Sequence, residues 1–208
     1  MIALFLSALA TLFVVIDPPG CAPIFASLTA GTPAAYRRLM AIRSVVVAGV
    51  VLLIFALLGE KLLAVLGISL EAFRIAGGIM LFLIALEMVF EKRTQRREER
   101  AEEIHRHPEH HEDISVFPMA IPMIAGPGSI ASTMLLMARS HGWQETLVVL
   151  GALGLTLVAM LASLLAAGPL MRVLGAKIEA MVTRVLGVIL AALAAQFVID
   201  GVRASFAG

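Results

Sequence analysis

The chain has 208 residues, of which 60% are hydrophobic and 15% charged, with a formal net charge of +1. Soluble domains run at about 45–50% apolar and about 25% charged, so this composition excludes an ordinary soluble domain, and the near-neutral balance gives no reason to expect nucleic acid or another polyanion as a partner. Cys21 is the one cysteine, which excludes a disulfide framework.

A helix needs about 20 mostly apolar residues to cross a hydrocarbon layer of ~30 Å. Six segments qualify, at 2–28, 39–59, 72–90, 116–138, 146–168 and 180–201. The first could be mistaken for a signal peptide. It has no basic residue before Arg37 and no clear small-x-small cleavage site, and it runs through Asp17-Pro18-Pro19-Gly20 into more apolar sequence. It therefore reads as an uncleaved first span. Adjacent prolines cannot sit inside a straight helix, because each lacks an N–H and clashes with the preceding turn. Asp followed by Pro reads instead as an N-cap with proline in the first turn, so a new half-helix is expected to begin at Asp17. That is about 24 Å along a helix from Met1, within the membrane. Cys21 follows, as a small buried hydrophobe.

The second span has Arg43 near its start and Glu60-Lys61 near its end; the third starts near Arg74 and contains Glu87. Glu87 reads either as a proton-titrating group or, preferably, as a carboxylate reaching the cytoplasmic interface. Residues 91–113 hold 14 of the chain's 31 charged side chains. Mixed signs without an apolar face predict a charged helix fraying into a solvated loop. His105, His107, His110 and His111 lie there; the simpler reading of them is adventitious metal binding, and no cofactor is expected.

The fourth span repeats the logic of the first. It runs Pro118-Met119-Ala120-Ile121-Pro122-Met123-Ile124-Ala125-Gly126-Pro127-Gly128-Ser129, with Gly126 as N-cap and Pro127 at the first helical position. Gly128 would let a ligand approach the backbone, and Ser129, Ser132 and Thr133 add hydroxyls. The fifth span carries no charge from Thr146 to Met171. The sixth starts near Arg184, a counterpart to Arg74, and both read as interfacial anchors. Gln196 suits a helix–helix hydrogen bond, Asp200 an interface, and Ala191 and Ala195 a close helix contact.

Lys and Arg set orientation. The first, third and fifth connections hold 12 of them and the opposite side 4, so both termini are expected outside the cytoplasm and the 91–113 connection inside. An internal repeat accompanies this. Val65-Leu66-Gly67-Ile68-Ser69-Leu70-Glu71-Ala72 recurs as Val173-Leu174-Gly175-Ala176-Lys177-Ile178-Glu179-Ala180, and Pro19-Gly20 recurs as Pro127-Gly128. Arg74 and Gly77 match Arg184 and Gly187. The fold class expected is thus an all-α integral membrane protein of six helices in two inverted three-helix repeats. The first repeat spans 1–90 and the second 116–208, joined by a charged loop at 91–115, in one membrane domain.

Inverted repeats whose interrupted helices meet near the midplane are characteristic of secondary transporters. Half-helix N-termini present unpaired N–H groups and a positive dipole end, suited to a carboxylate. A buried aspartate beside them could hold an ammonium or carry a proton. The expected substrate site is Asp17, Gly20, Cys21, Gly126, Gly128 and Ser129, with Asp17 and Glu87 as coupling groups and no catalytic or metal-binding residue.

Three motifs together, Asp17-Pro18-Pro19-Gly20 with Pro23-Ile24-Phe25, Arg74-Ile75-Ala76-Gly77-Gly78-Ile79, and Phe117-Pro118-Met119-Ala120-Ile121-Pro122 leading into Ala125-Gly126-Pro127-Gly128, resemble the MarC family of bacterial inner-membrane proteins. The likeness covers nearly the whole chain. It implies six transmembrane helices in the bacterial plasma membrane and, from some members, transport of small neutral amino acids such as glycine and alanine. Related sequences often have Asn where this chain has Cys21, which bears on substrate identity. The leading expectation is a secondary transporter of a small zwitterion, coupled to protons or sodium, since the sequence has no Walker-type nucleotide loop. Its partners would be the lipid bilayer and a small solute, with a homo-oligomer left open. A non-transporting regulatory or scaffold protein is the main alternative. A membrane-embedded enzyme is the weaker one, since it would need a nucleophile–base pair or paired aspartates within the bilayer.

Overall fold

A computed structural model describes the backbone of residues 1–92 and 113–207, and the side chains there except at 169–177, 179 and 207. The histidines of the charged loop, His105, His107, His110 and His111, lie outside the described residues. Those residues form eight helical elements and no strand. They are α1 (Ile2–Ile16), α2 (Pro18–Leu28), α3 (Ala34–Val65), α4 (Leu70–Val89), α5 (Ser115–Ile124), α6 (Pro127–Ala138), α7 (Trp143–Leu165) and α8 (Ala167–Ala207). By length and composition, Ile2–Leu28, Ala34–Val65, Leu70–Val89, Trp143–Leu165 and Ala180–Phe206 can each cross a membrane. The pair Ser115–Ile124 and Pro127–Ala138, bent by 54°, makes a sixth candidate if counted as one span.

The outer faces of these helices suit lipid. Val46, Val50, Leu53 and Leu57 on α3, and Ile79 and Leu83 on α4, are exposed. Apolar surface this continuous would drive association in water; facing acyl chains it costs nothing. Inside, α1 is the common wall of two cores. Its Ala8, Leu12 and Ile16 pack with α2, α3, α5 and α7, while Val14 and Val15 pack with α4, α6 and α8.

Helices α4 and α8 lie antiparallel. Gly78 approaches the Ala194 carbonyl and Val198, Gly187 approaches the Ala85 carbonyl and Met88, and Gly201 approaches Arg74 and Ile75. A Cβ at any of the three would come within about 3 Å of a neighbour. Close approach through small residues is how apolar helices associate where lipid removes the hydrophobic drive.

The structure decides two local features. The expected spans leave 169–179 as a connection, but the chain breaks at Ala166 and α8 is helical from Ala167 onward. The corresponding break in the first half is real: Gly67 has φ of 70°, and the Ser69 hydroxyl accepts from the Ala72 N–H to start α4. In the repeated segment Lys177 stands where Ser69 stands. A lysine has no acceptor to cap a helix, and a lone Gly175 costs a continuing helix only about 1 kcal/mol. The second is α5, the part of the interrupted fourth span before Gly126, whose conformation the sequence leaves open. Phe117 and Ile121, each before a proline, are extended at φ/ψ of −124°/127° and −126°/122°, and both following peptide bonds are cis. A residue before proline is forced out of the helical region by the pyrrolidine ring, so the element is broken at both positions.

Candidate functional site

The interruption between α1 and α2 is built by one residue. Asp17 adopts the left-handed conformation, φ 59° and ψ 64°, a region Asp tolerates better than most side chains. Its N–H closes α1 on the Phe13 carbonyl, and its own carbonyl accepts from Cys21 to open α2. Its carboxylate Oδ1 accepts from the Gly20 N–H at 3.1 Å. Asp17 is 1% exposed, so the backbone groups it satisfies would otherwise be orphaned in an apolar interior.

This geometry changes what the sequence-predicted residues do. Gly20 is close to Asp17 rather than to open space: a Cβ there would lie 2.2 Å from Asp17 Oδ2. The first two residues of α2 are prolines without N–H groups, and the third gives its N–H to Asp17. The α2 start therefore offers few donors to a ligand, contrary to the picture of two equivalent half-helix N-termini. The α6 start is different. Pro127 has no N–H, but those of Gly128 and Ser129 have no partner within the helix.

Gly126 is needed because a Cβ would lie 2.4 Å from the Pro122 carbonyl oxygen. Gly128 brings the two interruptions together: a Cβ would lie 3.4 Å from Val15 Cγ1 and 2.5 Å from Ile84 Cδ1. Side chains of α1 and α4 thus fill the space in front of it. Ser129 is buried, as are Ser132 and Thr133; the Thr133 hydroxyl donates to the Ser129 carbonyl, and the Ser132 hydroxyl has no partner. Cys21 is fully buried, its thiol 3.8 Å from the Ile16 carbonyl. Glu87 is half-buried on α4, one turn beyond Ile84. Gln196 does not bridge helices, since its Nε2 donates to Asp200 on the same helix.

A cavity of about 320 Å³ opens near the last turn of α2, lined by Phe25 and Thr29, by Arg37 and Arg38 of α3, and by Leu164 of α7. Sequence reasoning took those arginines as topology markers only; nothing local signals that α2 and α7 leave a hollow beside them. Phe25, 2% exposed, also belongs to the core around Ile16 and Cys21. It stands about 12 Å along the helix from Asp17, between cavity and interruption.

The model of the MarC family of integral membrane proteins matches residues 2–206. The chain belongs to the MarC family. Its relatives match over nine-tenths or more of their lengths. A UPF0056 membrane protein of Methanocaldococcus jannaschii is 38% identical over 203 residues, covering 96% of each chain. The inner membrane protein YhgN of Escherichia coli is 36% identical over 200 residues, covering 95% of each. The membrane protein YhcE of the same organism is 33% identical, over 95% of this chain and 91% of its own. These names place MarC relatives in membranes and assign none of them a substrate. No solved structure matches the chain.

Proposed function

We propose that this MarC-family chain is a secondary transporter of a small zwitterion of the neutral amino acid class. The observation that carries the reading is a carboxylate, Asp17, 1% exposed at a helix interruption inside an apolar bundle. An ionisable group in that setting is costly and calls for a functional reason. The N–H groups of Gly128 and Ser129 at the α6 start would receive the substrate carboxylate. Asp17, with Gly20 and Cys21 beside it, would receive the ammonium or a coupling proton, and Gly126 would contribute backbone to the site; Glu87 is the second coupling candidate. Ile84 must swing away from Gly128 to admit a ligand, and the cavity beyond Phe25 is the exit on the cytoplasmic side.

The two halves, 1–90 and 116–208, act as inverted repeats, each with one interrupted helix. Both termini face away from the cytoplasm in a bacterial inner membrane, as the 12-to-4 split of basic residues supports. The energy source is a proton or sodium gradient.

The test is uptake of a panel of neutral amino acids by purified protein in liposomes under imposed proton and sodium gradients. Gradient-dependent uptake of at least one member is expected. Asp17→Asn should abolish net transport while the protein still inserts and melts normally, because Asn caps helices as well as Asp does. No uptake of any amino acid under either gradient, or full activity in the Asn variant, would sink the reading.

A further inference from the structure

The two ends of the antiparallel α4–α8 pair are charged differently. At one end Arg184 of α8 meets Glu91, just past α4, at 2.6 Å, one cation for one carboxylate. At the other end both oxygens of Asp200 of α8 already accept a hydrogen bond. Its Oδ2 accepts from Arg139 Nη2 at 2.5 Å, and its Oδ1 accepts from Gln196 Nε2 at 2.7 Å. The Arg139 guanidinium also lies 4.5 Å from the centre of the Phe197 ring. Arg74 of α4 reaches the same place. Its Cβ lies 3.1 Å from where a Cβ on Gly201, the neighbour of Asp200, would be, and its charge acts on that of Arg139. Arg74 Nε is buried and has no hydrogen-bond partner, and Arg74 makes no ion pair among the described residues.

Two guanidinium groups are therefore near one carboxylate, which is paired with Arg139 alone. Leaving a buried donor unpaired costs about 1–3 kcal/mol and more when it is charged, and two like charges brought together at the edge of a low-dielectric bundle repel. An anion between them removes both penalties. We propose that Arg74 and Arg139 form a binding site for a phosphate group. Arg74 lies four residues into α4, about 6 Å of rise from its start, which is a depth suited to head groups. A guanidinium edge presents Nε–H and Nη–H together, a fork that fits two phosphate oxygens. The phosphate could arrive on a lipid or as the free ion; the chemistry at Arg74 is the same.

The full chain, stripped of lipid in a maltoside detergent, is titrated with phosphatidylglycerol, with diacylglycerol as the phosphate-free control, and separately with inorganic phosphate against chloride at equal ionic strength. Retained lipid is read by native mass spectrometry and stability by thermal melting. A lipid site predicts retention of phosphatidylglycerol over diacylglycerol with little response to phosphate. A solute site predicts a rise of several degrees with phosphate and no lipid preference. In either case Arg74→Gln should weaken the response roughly tenfold and Arg74→Lys less. Asp200→Asn, which releases Arg139 from its carboxylate, should strengthen it, a gain that a purely structural role for the cluster would not produce and one that remains readable if Arg74→Gln fails to fold. No preference for phosphate in any form, a wild-type response from Arg74→Gln, or a weaker one from Asp200→Asn would each overturn the proposal. None of these readouts depends on transport.

Discussion

Asp17 ends one helix and begins the next, and Gly20 is the residue that lets it. With a Cβ at position 20 only 2.2 Å from Asp17 Oδ2, Gly20→Ala must expel the carboxylate from its cap. Overpacking of this kind costs about 1–3 kcal/mol, to be read as a lower melting temperature in detergent. Shortening the side chain at 17 makes room, so the same substitution made in an Asp17→Ser background should cost clearly less. An equal penalty in both backgrounds would show that the clash is not with Asp17. A parallel comparison separates two other glycines. At Gly126 the obstruction is the Pro122 carbonyl oxygen, part of the backbone, whereas at Gly128 it is the far end of Ile84. Gly126→Ala should therefore destabilise more than Gly128→Ala, and Ile84→Ala should relieve only the second. Equal relief of both by the Ile84 change would refute this assignment of contacts.

The elements are delimited by small chemical differences. The Ser69 hydroxyl caps α4, and Ser69→Ala should lower stability by about 1 kcal/mol; an unchanged melting temperature would mean that packing alone sets where α4 begins. At the entrance to α5, the Asp113 carboxyl lies below the ordinary carboxylate range because the Ser115 hydroxyl and N–H both donate to it, with Arg43 adding its positive charge at 3.0 Å. A depressed pKa means that the native state holds the charged form more firmly than the unfolded chain does. Its stabilisation is therefore full above the unfolded value near 3.8 and fades as pH falls through the lower native value. The carboxyl is 45% exposed, so the effect is small. Asp113→Asn should flatten the acid limb of a plot of melting temperature against pH, below about pH 4; a limb of unchanged slope would rule Asp113 out.

Across the whole molecule, the decisive arrangement is a central α1 flanked by two cores, with α4 and α8 locked through Gly78, Gly187 and Gly201. Each half supplies one member of that pair, running in opposite directions. If three spans per half invert the second copy, reporter fusions at the C-terminus and within 91–113 should report opposite sides of the membrane, the latter cytoplasmic. Cytoplasmic activity from the C-terminal fusion would overturn that topology.

Helix class and the number of candidate spans were legible from the sequence because apolar runs of about 20 residues have one stable form in lipid, where every backbone group must bond within its own segment. Asp17 was legible as a cap for the same local reason: Asp before Pro carries its acceptor and its stop signal together. The irregularity of α5 was present in Pro118 and Pro122, whose effect on Phe117 and Ile121 acts through one peptide bond. Tertiary structure decided what faces what. Only the packed bundle shows that Gly20 and Gly128 are filled by Asp17 and by Ile84, that a hollow lies beside Arg37 and Arg38, and that Arg74, Arg139 and Asp200, far apart along the chain, share one place. Such facts depend on distances between helices, and those are set by the sum of many side-chain contacts to which no single stretch of sequence holds the key.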